Sequence, residues 1–449
     1  MAKSTKSNPD KIGIGKFWAW QSRSASGGIN FIILSFLAIY CTDALGMPAN
    51  ITGMLLLASK VIDAVTDLFA GYLVDKTNSK LGKGRPYEFA ILGAWLATWL
   101  MFSVPGDATL AVKSIWVITM YIAVQSICMT LLAACQNPYM VRAFRTNGQR
   151  VKLATFGGIV IMVACMAVSI SFPMLMNRIA TSPAGWSTLV AMVAVPAGLI
   201  GILRFVFVKE TVMIEEHEEK PRLTDVFTLM RKNHYVWIVT LMGIVYSLVT
   251  GMGVMSYYFK WSVGNLDLMG TVQAVAIVSL PLLFFFPMIM KKIPMGKLVM
   301  FASIFYAISG VMMFLFARNT PLLMLSFVLT GVAALPITYL GDLMMIDCGS
   351  YNQYHGFKRM DGTIGAIKGF AGKLGAGLGS AILGVMLSAS GYDGLLETQP
   401  DSAIAMINVA QGLIPAILFT LLAFIMAGYK LDLLMPKINK ELEEKAAKA

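Results

Sequence analysis

Charge is scarce in this sequence. Asp, Glu, Lys and Arg make up 13% of its 449 residues, where a soluble domain carries about a quarter. Acid is scarcer than base, with 24 Asp+Glu against 36 Lys+Arg and a net charge of +12. A water-soluble enzyme so poor in charge would not stay dispersed. Neither a disordered chain nor a compact nucleic-acid binder carries 57% hydrophobic residues. Cysteine is sparse too. Cys41, Cys128, Cys135, Cys165 and Cys348 are odd in number and lack metal-ligand spacing, so neither a disulfide framework nor a zinc site is expected. His217, His234 and His355 share no ligand spacing and read as solvated loop residues. Met1 to Arg23 is polar and basic, with no short apolar core and small-residue cleavage site after it, so no cleaved signal peptide is expected. No nucleophile–base set or cofactor motif is visible, and an enzyme is not expected.

Long apolar runs are what the chain has in abundance, and its mean hydropathy is +0.70. A helix crosses a bilayer with about 20 mostly apolar residues. Twelve runs qualify: 27–45, 49–74, 89–104, 115–140, 153–176 and 185–208, then 236–259, 268–290, 298–316, 322–345, 364–388 and 403–427. Their length and continuity predict helices; a membrane barrel would show short alternating segments. With the N-terminus inside, 28 of the 36 basic residues fall on the inner side and four (Lys113, Arg178, Lys260 and Arg318) fall outside. That asymmetry predicts cytoplasmic termini and an even number of spans. The longest internal polar stretch, 209–234, reads as a linker between an N-terminal half, 1–208, and a C-terminal half, 235–449. Basic, Gly- and Pro-containing turns follow both span 2 (Asp75 to Pro86) and span 8 (Lys291 to Lys297). Two six-helix repeats of this kind describe an all-α membrane protein with the major facilitator fold. A multi-pass monomer in the cell membrane is expected, with the lipid bilayer and a small solute as its partners.

Ionisable groups inside spans are costly, and each is a functional hypothesis. Span 2 holds Lys60, Asp63 and Asp67. The two carboxylates are i and i+4 and share a helix face. Like charges that close do not both ionise without a proton or a cation between them, so the pair predicts a cation-coupling site. A structural pair neutralised by Lys60 or by a lysine on another helix is the alternative. Span 11 supplies Lys368 and Lys373, the second within Gly372-Lys373-Leu374-Gly375-Ala376-Gly377, where glycines permit close packing. Lys373 is expected to face the central cavity near Asp63 and Asp67. Lys368, nearer the cytoplasm, is free to snorkel. Span 4 carries Cys135-Gln136-Asn137-Pro138-Tyr139, whose two amides beside a proline suit either a substrate wall or interhelical glue. Trp18 and Trp20 read as interfacial aromatics.

These residues carry a resemblance. Asp63-Ala-Val-Thr-Asp67, Gly71 and Asp75-Lys-Thr-Asn-Ser-Lys-Leu-Gly-Lys-Gly-Arg-Pro86 are similar to the signature of the glycoside–pentoside–hexuronide:cation symporters. Asp347, Tyr351, Arg359, Gly362 and Lys373 fall in the order of that family's segment across helices 10 and 11, and Tyr429-Lys-Leu with Ile438 and Leu442 resembles its tail. The resemblance implies symport of a sugar or glycoside with Na⁺ or H⁺ by alternating access, with no cofactor beyond the coupling cation. It implies that Asp63, Asp67, Gln136 and Lys373 surround the cation, and that Gly27, Asn30, Lys60, Gln136, Asn137, Lys368 and Lys373 line the substrate site. Asp75, Lys83, Arg85, Arg142, Asp347 and Arg359 would form the cytoplasmic gate, whose charged contacts between halves break as the inside opens.

The sequence also departs from the pattern. Leu68 replaces a proline, and the acid of helix 1 aligns near Gly27, with Ser26 and Asn30 as polar neighbours. The acid of helix 4 aligns with Gln136, its tryptophan with Met140, and the arginine of helix 5 near Gly157-Gly158. The paired-acid clamp for neutral galactosides is therefore missing. Fewer oxygens favour H⁺, since a metal ion needs several ligands. The gain of Lys368 suggests tolerance of an anionic substrate such as a hexuronide. A facilitator or exporter of another small amphiphile on the same fold is the alternative.

Overall fold

The computed structural model describes residues 12–77, 79–144, 146–211, 233–276, 285, 288–289, 292–356 and 361–448. Most of the expected linker, 212–232, lies outside them, as does Arg359. Among the described residues the fold is helical: α1 Ile14–Ala44, α2 Ala49–Lys76, α3 Ala90–Met101, α4 Leu110–Ala143, α5 Asn147–Ile179 and α6 Pro183–Phe207. The second series is α7 His234–Val263, α8 Asp267–Ala276, α9 Met295–Leu315, α10 Thr320–Tyr354, α11 Asp361–Ala389 and α12 Asp401–Ala427, followed by α13 Leu431–Lys448. Ten of the first twelve are long and apolar enough to cross a membrane. The other two correspond to expected spans 3 and 8. α3 is short because its run is short and loses both ends, Phe89 to the 3₁₀ turn Arg85–Phe89 and 102–104 to the turn after Met101. Beyond Ala276, most of span 8 lies outside the described residues.

Hydrocarbon offers no hydrogen bonds, so each spanning backbone must satisfy itself as a helix. Polar side chains close the exposed ends. Thr146 accepts from Gln149 N at the start of α5, Ser182 from Gly185 N before α6, and Asn319 from Leu322 N before α10; such caps stabilise a helix by about 1 kcal/mol each. α1 and α7, which occupy corresponding places in the two series, both end in π-helical turns, Tyr40–Ala44 and Tyr258–Val263. A third π segment, Ile122–Met129, interrupts α4.

The chain divides into two compact units: Met1–Pro48 with Ala58–His217, and Ala49–Leu57 with Glu218–Ala449. In the first, Gly28 brings α1 against α5, for a Cβ there would lie 2.7 Å from Cys165 Sγ. An aromatic cluster of Tyr40, Phe102 and Trp186 fills the space between α1, α3 and α6. Trp20 belongs to this interior. It is 2% exposed and packs on Tyr139 and Phe144, so it is a core residue and not an interfacial one, while Trp18 is exposed. In the second unit α7 and α11 pack backbone to backbone, a Cβ at Gly375 falling 2.6 Å from Ile244 O. The tail helix α13 docks Leu431 and Ile438 into the same core as Val239, Leu340 and Phe419, and Asp432 Oδ2 accepts from Gly296 N at 2.9 Å.

Candidate functional site

α2 sets Asp63 and Asp67 one turn apart, Asp63 buried at 2% exposure and Asp67 open. Thr130 faces them from α4. Its Oγ1 lies 2.8 Å from Asp67 Oδ1, 3.2 Å from Asp63 Oδ1 and 3.0 Å from Gln125 O. A hydroxyl has one proton and satisfies one acceptor at a time. Two carboxylates this close repel one another when both are ionised, and a proton, a cation or a basic side chain beside them relieves that repulsion. The π segment Ile122–Met129 ends immediately before Thr130; insertions of this kind turn the residues after them and recur at functional sites. Thr66, between the acids, is occupied locally, donating to Asp63 O at 3.0 Å. No sequence signal marks Thr130, one of two threonines in an apolar run.

The other candidates of this unit fall in three places. A Cβ on Gly27 would meet Met129 Cε at 3.9 Å, which sets Gly27 beside the turn that carries Thr130. Lys60 holds its ammonium 5.4 Å from the centre of the Tyr121 ring. Asn137 is exposed. Asn30 is instead fully buried, donating to Thr98 Oγ1 at 2.8 Å and joining α1 to α3. Ser26 likewise donates to Ala197 O and accepts from Trp95 Nε1. Both bond protein neighbours in the interior.

Gln136 lies six residues, about 9 Å of helix rise, beyond Thr130. Its Oε1 accepts from Arg23 Nη2 and, at 2.7 Å, from Arg204 Nη1. Both guanidiniums also flank Glu88, at 3.5 Å each, and Glu88 and Arg204 are fully buried. Arg204 further donates to Trp20 O and Ser24 Oγ and lies 4.0 Å from the centre of the Trp20 ring. Arg23, counted as an inner-side charge ahead of span 1, thus sits inside α1. Gln136 belongs to this arginine network, one turn and more from the carboxylates.

The loop between α2 and α3, expected to act as a gate, shows its own architecture. Glu210, just past α6, accepts from three successive backbone N–H groups: Lys83 at 3.0 Å, Gly84 at 2.8 Å and Arg85 at 2.8 Å. Gly82, at φ +113°, makes the turn that aims them. A Cβ on Gly84 would stand 2.6 Å from Tyr139 Cβ, so only glycine seats the loop on α4. Arg85 donates through Nε to Phe205 O and lies over the Phe205 ring. Arg142 donates to Pro138 O and its own carbonyl accepts from Thr211 N. Asp75 lies in the last turn of α2, and its side chain is outside what is described, like Arg359.

In the second unit Lys373 is half-buried on α11, in the stretch that packs on α7. Lys368 forms an ion pair with Asp342 of α10, an acid for which the sequence reading assigned no part. Asp347 is half-buried, one turn and more along α10 from it.

A model of the family described as MFS/sugar transport protein matches residues 23–433. The isoprimeverose transporter of Lactiplantibacillus pentosus is 27% identical over 433 residues, covering 93% of this chain and 88% of its own length. The uncharacterized symporter YnaJ of Bacillus subtilis (strain 168) is 27% identical over 425 residues, covering 89% of this chain and 88% of its own. Among solved structures, a D-xylose–proton symporter superposes with a TM-score of 0.63 at 15% identity, covering 92% of this chain and 97% of that one, which shows a common fold. The chain belongs to the MFS/sugar transport protein family, among its glycoside–pentoside–hexuronide:cation symporters, and is a secondary active transporter and not an enzyme.

Proposed function

We propose that this chain takes up a sugar or glycoside together with a cation held by Asp63, Asp67 and Thr130. The observation that carries this reading is the single Thr130 hydroxyl shared by two carboxylates one helical turn apart. With both acids ionised the pair repels itself, and a bound cation removes that repulsion. A proton is the favoured ion, because it needs one carboxylate where a metal ion needs several oxygens at once. Asp67 is the open member of the pair, and buried Asp63 and Thr130 complete the site behind it. Gly27, Lys60, Asn137, Lys368 and Lys373 contribute to the substrate wall. Asn30 and Gln136 serve the packing behind it, in keeping with their protein partners.

The loop of Lys83, Gly84 and Arg85, moored by Glu210, works with Asp75, Arg142, Asp347 and Arg359 as the cytoplasmic gate. The basic bias of the inner loops supports cytoplasmic termini in the cell membrane. One chain carries both halves of the fold, so a monomer suffices.

Reconstitution in vesicles tests this. A panel of pentosides and hexosides is offered under an imposed inward proton or Na⁺ gradient. Accumulation that appears with the gradient and collapses when it is dissipated is the expected result. Uptake indifferent to both gradients overturns the symport reading.

A further inference from the structure

The second unit carries an acid–base pair whose place and exposure bear on which substrates are accepted. We infer that Asp342 and Lys368, as a closed neutral pair on an open face, make the carrier select uncharged glycosides over uronides. This deepens the proposed function and rests on it.

Alone, Lys368 is a cation in the membrane span of α11 and would attract a carboxylate. The structure gives it a counter-ion, and the two side chains meet across α10 and α11. Gly341 lies beside the pair, where a Cβ would stand 3.7 Å from Lys368 Nζ, an ordinary contact. The pair is not a buried strut, for the Asp342 side chain is 75% exposed and that of Lys368 28%. Thr338 and Tyr339, one turn before Asp342, are exposed on the same side of α10. A carboxylate inside a span does not face lipid, so this polar face borders a water-filled space.

The chemistry there suits a neutral sugar. The carboxylate accepts from hydroxyls, the ammonium donates to them, and the tyrosine ring offers an apolar surface to a pyranose face. A uronide brings its own carboxylate against Asp342. It must either bear that like charge or break the pair and strand Asp342 unpaired. Specificity then comes from a penalty on the wrong ligand as much as from attraction to the right one.

The test is equilibrium binding of a neutral glycoside and its matching uronide to the purified full-length protein. Wild type is expected to favour the neutral sugar. Asp342→Asn, which leaves the ammonium without its counter-ion, should shift the affinity ratio toward the uronide by about tenfold or more, the size of one charge-assisted hydrogen bond. Lys368→Gln should shift it the other way, and Asp342→Glu should keep the wild-type preference, which separates lost charge from lost structure. Neutral-sugar binding with an unchanged ratio in Asp342→Asn overturns this inference alone, as does a wild-type preference for the uronide. Absence of binding to any sugar by wild type rejects the glycoside reading and this inference with it.

Discussion

Thr130 on α4 reaches two carboxylates on α2, 2.8 Å from Asp67 and 3.2 Å from Asp63. The hydroxyl is thus the third oxygen of the site and the only one of the three that cannot itself carry a negative charge. Removing it in Thr130→Ala leaves the two acids without their shared donor. We expect cation affinity, read as the pH or Na⁺ concentration for half-maximal sugar uptake, to fall by about tenfold or more, the worth of a hydrogen bond to a charged group. Thr130→Ser keeps the hydroxyl and should stay close to wild type.

Glu210 gathers the loop between α2 and α3 with a single carboxylate on three backbone N–H groups. Charge-assisted bonds of this kind are roughly twice as strong as neutral ones. Glu210→Ala should lower unfolding stability by about 2–4 kcal/mol, read as a thermal shift of the purified protein. Glu210→Gln should lose less, because its amide oxygen still accepts while its NH₂ group meets one of the three donors head-on.

Gly84 is held by space. A Cβ there would come within 2.6 Å of Tyr139 Cβ and 3.0 Å of Cys135 O. Gly84→Ala should lift the loop off α4, costing about 1–3 kcal/mol as overpacking does. Protease cutting after Lys80 or Lys83 is the readout, and it should be faster in the variant.

The buried network of Arg23, Glu88, Arg204 and Gln136 should respond asymmetrically. Breaking one partner of a buried ion pair costs about 3–5 kcal/mol, because the other charge is left uncompensated. Arg204→Met alone should therefore reduce the amount of folded protein sharply. Arg204→Lys should not rescue it, since one ammonium cannot reach Trp20 O, Ser24 Oγ and Gln136 Oε1 together. Combining Arg204→Met with Glu88→Gln should recover part of the loss, as measured by monodisperse yield in detergent.

The parts of this molecule that were legible in its sequence are those written in local pattern. Ten spans stand out because hydrocarbon demands long apolar runs, and Asp63 and Asp67 stand out because i and i+4 share a face. α3 is harder to read, because its apolar run is short and its helix stops at Met101 before the run ends. Thr130 was illegible for another reason. Its importance comes from α2, 67 and 63 positions away, and from a π turn that aims it. Gln136 looked like a ligand because it is polar in an apolar helix. Its partners are Arg23 and Arg204, which come from distant helices and had been read by position alone. Asp342 is visible as an acid between Gly341 and Leu343 in an apolar run, and the signal lies in the cost of a charge within a span.

The central claim is that the carboxylates of α2 couple the cation to the sugar. Gradient-driven accumulation in vesicles, measured beside gradient-free sugar exchange, tests it most directly. In Asp63→Asn and Asp67→Asn accumulation should fall to the equilibrium level in at least one variant that still exchanges sugar. Accumulation against a gradient that survives both substitutions would contradict it.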